Sequence, residues 1–282
     1  KFNPKTPLQT SIEKVVLFTL KSPRFLYPEW QALAKDTKDS FVVASRLALY
    51  LWDSVPDMNM HDLVDRGQFV KELQIKNQAK QMTMDPRAQA KFHDFLLHWL
   101  EMNAEELPSK STQKYPDFSS FLALDLRRSL FRTIEKIVWE KKGHFEDFLR
   151  MENFESNRAI AEYYGMQFPK EKKATDFVTF HSSKIKRQGL HTHPYLLASH
   201  SYAEESSPIH RGVFVSRKIL GRTLRPPKEA VSFSNSDFDP SWTMRQKVST
   251  LTKPANCMSC HDLINSTGFS LEGFDAVGKG RE

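Results

Sequence analysis

Both cysteines of the chain, Cys257 and Cys260, fall in one five-residue segment, Cys257-Met258-Ser259-Cys260-His261. Two thiols three positions apart on a helical turn point the same way. Each can therefore form a thioether to a former vinyl group of a porphyrin, while the adjacent imidazole is directed at the iron. Cys-x-x-Cys-His is the attachment pattern of c-type haem. It predicts one covalent haem c on Cys257 and Cys260, with His261 as proximal iron ligand and a potential tuned by the second axial ligand, burial and nearby hydrogen bonds. Two other chemistries compete. A thioredoxin-like dithiol needs a strand before its helix, whereas the residues leading to Cys257 read as helix; a zinc site needs a fourth ligand from elsewhere, and there is no second Cys pair.

The second axial ligand is harder to place, because no Met follows Met258. The upstream candidates, in order of expectation, are His200, His193 and Met244. His200 ends a short helix and opens a loop long enough to let an imidazole turn; His193 precedes Pro194 at a helix start; Met244 lies on the helix that runs into the motif. Five of the ten histidines, His181, His191, His193, His200 and His210, fall between residues 181 and 210. Such clustering suits a metal or haem pocket, although histidines beside helix ends are also common on surfaces. Arg187 and Arg211 are candidate partners of haem propionates, since a guanidinium offers paired donors to a carboxylate; interdomain salt bridges would use them equally well. His93 and His98 beside Trp99 read as helix-surface or core residues, and the Asp36–Asp39 and Asp62–Asp65 clusters as helix caps. No phosphate loop, Ser-His-Asp arrangement or carboxylate pair is present.

Helices must position these groups. Apolar residues recur at helical spacing over Leu8–Leu20, Phe41–Trp52, Phe69–Met82, a segment from Asp85-Pro86 to Met102, and the longest, Asp117–Glu140. Asp39 or Ser40 can cap the second of these, and Ser22-Pro23 stops the first. Shorter helices are expected at Phe145–Met151, at Glu155–Tyr164 with Gly165 as a left-handed cap, at Pro194–Ser199, Ile209–Leu220 and Thr243–Leu251. Phe177–His181 suits a short strand, and Arg222–Pro240 an irregular connection. The expected architecture is mainly α: a helical bundle domain over 8–168, then a small α-helical haem module over 177–282 that includes the His-rich segment.

Over 282 residues, 39% hydrophobic and 27% charged, the composition supports a sizeable core, excludes general disorder and suits two domains. No run approaches 18 apolar residues, so the chain does not span a membrane as an apolar helix. The net charge of +7 is uneven: residues 170–282 hold 17 Lys and Arg against 11 Asp and Glu, whereas residues 1–169 hold 24 against 23. A basic C-terminal surface would steer an acidic partner, or be a solvated face only. Nucleic-acid binding has this charge in its favour and no recognised module.

Several short segments, in order, resemble the planctomycete-type multidomain cytochromes, in which planctomycete-specific helical domains of unknown function precede a c-type haem segment. They are Ser22-Pro23-Arg24-Phe25-Leu26-Tyr27; Ser45-Arg46-Leu47 through Leu51-Trp52-Asp53-Ser54-Val55-Pro56-Asp57; Asp85-Pro86-Arg87-Ala88; Arg187-Gln188-Gly189-Leu190; Ser206-Ser207-Pro208-Ile209-His210-Arg211-Gly212; Thr243-Met244-Arg245; Cys257–His261; and Gly268 to Gly278. The resemblance implies export to the periplasm or beyond, with any membrane association through a partner or a further segment, and extension beyond both Lys1 and Glu282. It implies the same haem ligation, with Gly268–Gly278 as a loop beside the haem, and supplies a cofactor more securely than a reaction. The expected function is electron transfer within a larger protein or complex, to a redox partner or adjoining domain. The alternatives are a haem-dependent redox enzyme with an open iron site, and an interaction subunit whose haem is structural.

Overall fold

A computed structural model describes residues 7–27, 39–102, 106–141, 143–181, 187–224 and 238–281. Residues 36–38 of the first Asp cluster, the side chain of His181 and most of the Arg222–Pro240 connection lie outside the described residues. The chain is mainly helical, as its periodicity predicts, and divides into two compact units, Lys1–Phe95 and Leu96–Glu282.

In the first unit, α1 (Leu8–Leu20) buries no residue. After the single turn α2 (Pro23–Leu26), α3 (Ser40–Trp52) starts where the Asp39 carboxylate accepts from the Phe41 amide, settling the choice of cap. Asp57 does the same for α4 (Met58–Asp65), and α5 (Glu72–Met82) follows. Ala44, Ala48 and Trp52 of α3 pack on Met60, Val64, Phe69 and Met82. The Trp52 indole donates to the Met82 carbonyl at 3.1 Å, which satisfies its one polar group inside this core. At the start of α6 (Pro86–Trp99), Arg87 lies 3.4 Å over the Trp52 ring and pairs with Asp57 and Asp85. Its hydrogen bonds hold the Asp85 carboxyl down to about 2.

The second unit is built on α7 (Ser120–Glu135), whose Leu122, Ala123, Leu126, Leu130, Thr133 and Ile134 form a buried stripe at helical spacing. A π-turn over Lys136–Glu140 ends this helix. Next come α8 (Phe145–Arg150), β1 (Asn153–Ser156) and α9 (Arg158–Tyr163). β1 pairs antiparallel with β2 (Val178–His181) in the register Asn153↔His181 to Ser156↔Val178. A 3₁₀ turn, Leu190–Thr192, leads into α10 (Pro194–Ser199) and α11 (Pro208–Phe214), which continues as a second π-turn, Val215–Ile219. The last helices are α12 (Met244–Leu251) and α13 (Ala255–Phe269). No helix of the described residues is long and apolar enough to cross a membrane.

The units divide at a different place from the expected boundary near residues 168–177. β1 is held by β2 across that boundary, the buried Ser129 of α7 bonds His193, and Tyr164 donates to the Val277 carbonyl at 2.6 Å. Residues 96–168 therefore build one core with the C-terminal part of the chain. The division falls inside the continuous helix α6, where local periodicity carries no signal of it.

α11 and α13 cross at two glycines. A Cβ on Gly212 would lie 2.0 Å from the Ile264 carbonyl oxygen, and one on Gly268 would lie 2.0 Å from that of Pro208. Any side chain at either position would hold the backbones apart.

Candidate functional site

Cys257, Cys260 and His261 occupy the first two turns of α13, which follows Pro254 directly. Positions 257, 260, 261, 264, 265 and 268 form one stripe of that helix. Its first part is half-exposed at the two free thiols and the imidazole; from Ile264 it is buried, with Asn265 and Gly268. The reactive groups thus sit on the open continuation of a face whose other half is locked into the core by the Gly268 crossing.

The imidazole is tied down on one side. His261 Nδ1 lies 3.2 Å from Asn265 Oδ1, Asn265 Nδ2 donates to Thr252 Oγ1 at 2.8 Å, and Thr252 Oγ1 donates to the Val248 carbonyl at 2.8 Å. Asn265 and Thr252 are 8% and 3% exposed. Neither was singled out from sequence, although Asn265 carries a signal: it is a polar residue one helical turn after His261, on the stripe that turns inward.

Residues 39–166 match the family model PSD4, described as a protein of unknown function (DUF1592), and residues 187–282 match PSCyt3, described as a protein of unknown function (DUF1588). Both families are known in planctomycete-type multihaem cytochrome proteins. No curated protein and no solved structure matches the chain. The two spans fall on either side of the expected boundary near residues 168–177, the PSD4 span crosses the division between the two compact units, and the PSCyt3 span, which holds both cysteines, lies wholly in the second unit.

The PSCyt3 residues expected at haem propionates do something else. Arg211, 1% exposed, gives Nη1 to the carbonyls of Leu271 (3.0 Å) and Phe274 (2.8 Å). Its Nη2 goes to Ser201 Oγ (2.9 Å) and to the carbonyls of Leu197 and Asp275. Arg187, 5% exposed, donates to the carbonyls of Thr192 (2.8 Å) and Gly278. Burial lowers the Arg211 guanidinium to about 10, and it stays charged at neutral pH. Both arginines clasp the loop 271–278 that follows α13, and none of their hydrogen bonds reaches the thiols. A buried cation is tolerable here because carbonyl dipoles replace its water.

The distal candidates differ in what holds them. His193, 1% exposed, accepts from the Tyr195 amide at Nδ1 (3.2 Å) and approaches Ser129 Oγ with Nε2 (3.1 Å), so both ring nitrogens are engaged. The His200 ring stacks on Phe214 at 4.3 Å, with a buried Nε2 that has no partner. Met244 is buried in the first turn of α12, beside Arg245, whose guanidinium lies over Phe269, the last residue of α13. Because the other end of α12 reaches Asn265 through Thr252, the two helices run antiparallel. Met244 thus lies at the Phe269 end, roughly 12 Å along the helix from His261 at 1.5 Å per residue. Among the described residues no group of three or more His, Cys, Asp or Glu could hold a metal ion, so the clustered histidines do not form a metal site there.

These histidines have a consequence for stability. Burial pushes His193 down to about 3 and His200 down to about 4, whereas both titrate near 6.5 when unfolded. Below pH 6.5 the unfolded chain binds protons that the folded chain does not, so stability falls as pH falls, at about 1.4 kcal/mol per pH unit for each histidine. Denaturant midpoints for the whole chain should drop between pH 6.5 and pH 4. His193→Gln should flatten that slope.

A cleft of about 420 Å³ lies elsewhere in the second unit, beside the Lys136–Glu140 π-turn. Its lining balances Lys136, Lys141 and Arg150 against Asp147, Glu152 and Glu155, and Lys136 is already paired with Glu155 at 3.0 Å.

Proposed function

We propose that this chain is part of an exported c-type cytochrome: one haem is attached through Cys257 and Cys260, His261 is an axial ligand, and the assembly transfers electrons within a larger protein or complex. The observation that supports it most is the motif's placement. Two free, half-exposed thiols three positions apart share a helix face with an imidazole whose Nδ1 is hydrogen-bonded and whose Nε2 has no hydrogen bond among the described residues. The donor set fits a haem. Bound there, the group supplies a reversible one-electron couple.

The chain's own part is positional. The stripe on α13 presents Cys257, Cys260 and His261 together, and the glycine crossing with α11 fixes the helix that bears them. Asn265 orients the imidazole. Half-exposure leaves the thiols reachable by the attachment machinery.

Produced with an export signal in a host that matures c-type cytochromes, the chain should give a haem-staining band on a denaturing gel. Cys257→Ser with Cys260→Ser should abolish that band, and cytoplasmic production should never give it. A stained band from the double variant would overturn the assignment of the motif.

One observation bears on the enzymatic alternative: both ring nitrogens of His193 are already engaged, so that candidate offers no lone pair to an iron in this fold. A low-spin spectrum unchanged by carbon monoxide or cyanide would support electron transfer alone; a spectrum that shifts on adding either would support an open iron site.

A further inference from the structure

The hydrogen bonds behind His261 have only one consistent direction. The Val248 carbonyl can only accept, so Thr252 Oγ1 gives it its single proton at 2.8 Å. That hydroxyl then offers only lone pairs to Asn265, and the Asn265 atom 2.8 Å away must be the amide nitrogen. The amide oxygen is thereby turned to His261 Nδ1 at 3.2 Å, and it too can only accept. Neutral His261 must carry its proton on Nδ1, with a bare lone pair on Nε2. Burial of Asn265 and Thr252, 8% and 3% exposed, keeps water from offering the amide another orientation.

We propose that Thr252 and Asn265 are positioning residues that fix the tautomer of His261 and set the donor strength of its Nε2. Their effect on an iron rests on the haem reading above; the tautomer does not. A main-chain carbonyl on α12 dictates, through two side chains, which nitrogen on α13 is free to ligate. The acceptor at Nδ1 is a neutral amide, so the ring remains an imidazole and is not drawn toward imidazolate as a carboxylate would draw it.

The test begins with the wild-type chain made without haem. A long-range proton–nitrogen-15 spectrum above the histidine titration range, with His261→Gln to assign the signals, should show Nδ1 protonated and Nε2 bare. Thr252→Val should release the amide and mix the two tautomers. A wild-type ring protonated on Nε2 would overturn the inference.

In the haem-loaded chain, Asn265→Asp should lower the midpoint potential and Asn265→Leu should raise it. Thr252→Val should follow Asn265→Leu by a smaller shift, and the Nδ1 proton should exchange more slowly in wild type than in Thr252→Val. Equal potentials across all variants would overturn the proposal as well. If no variant and no wild-type chain takes up covalent haem, the haem reading fails, and the spectrum of the haem-free chain still decides the tautomer.

Discussion

Replacing Arg211 with methionine should unfold the Leu96–Glu282 unit under conditions where the wild type is stable. The side chain keeps much of its volume, so packing is not the main loss. What disappears are the donors to the carbonyls of Leu197, Leu271, Phe274 and Asp275 and to Ser201 Oγ, and the cation that faces Glu272 at 3.7 Å. A buried acceptor left without a partner costs about 1–3 kcal/mol, and breaking a buried ion pair on one side about 3–5 kcal/mol. With total stabilities of about 5–15 kcal/mol, the loss approaches the whole margin. Arg211→Lys should rescue only part of it, because an ammonium has three donors and no fork. Circular dichroism in urea, read for the denaturation midpoint, is the measurement. A midpoint within a few tenths molar of wild type would refute the clasp.

Gly268→Ala should be nearly as damaging for a different reason. The added Cβ would lie 2.0 Å from the Pro208 oxygen and 2.8 Å from its carbonyl carbon, both main-chain atoms that no rotamer change can move. The helices must separate, and overpacking costs about 1–3 kcal/mol, more where main-chain atoms must move as here. Gly212→Ala should behave alike against Ile264. Gly273→Ala is the control: nothing lies within 4 Å of its Cβ position, and its backbone needs no left-handed conformation. Its midpoint should stay level with wild type or rise slightly as the unfolded chain loses freedom. If Gly268→Ala and Gly273→Ala melt together, the crossing is not a close one.

Local pattern revealed much of the architecture. Leu8–Leu20 and Pro194–Ser199 are bounded in the structure where Ser22-Pro23 and the His193–His200 segment bound them in sequence, and Gly165 takes a left-handed φ of 70° after α9. Asp117–Glu140 was legible as helix but not as two kinds of helix, because a π-turn has the same apolar composition as the turn before it. β1 was missed, its second half taken into the expected helix Glu155–Tyr164, since its partner lies more than twenty residues on and a four-residue strand has no period of its own. At the site, the Cys-x-x-Cys-His spacing is legible from sequence alone, and the covalent attachment read from it stands as the proposal above. The second-ligand ranking and the propionate roles of Arg187 and Arg211 depended on residue type alone, and the structure gives both arginines main-chain partners instead. An arginine that serves main-chain carbonyls looks the same in sequence as one that serves a carboxylate.

The clasp on loop 271–278 also orders events in time. Arg187 and Arg211 are synthesised long before the carbonyls they hold, and the crossing at Gly212 waits for Gly268. While the chain is being made, two guanidinium groups remain in water until the loop 271–278 arrives to accept their hydrogen bonds. Closure of the second unit comes only once residue 278 has emerged, so the segment bearing Cys257 and Cys260 is complete before the clasp that locks it.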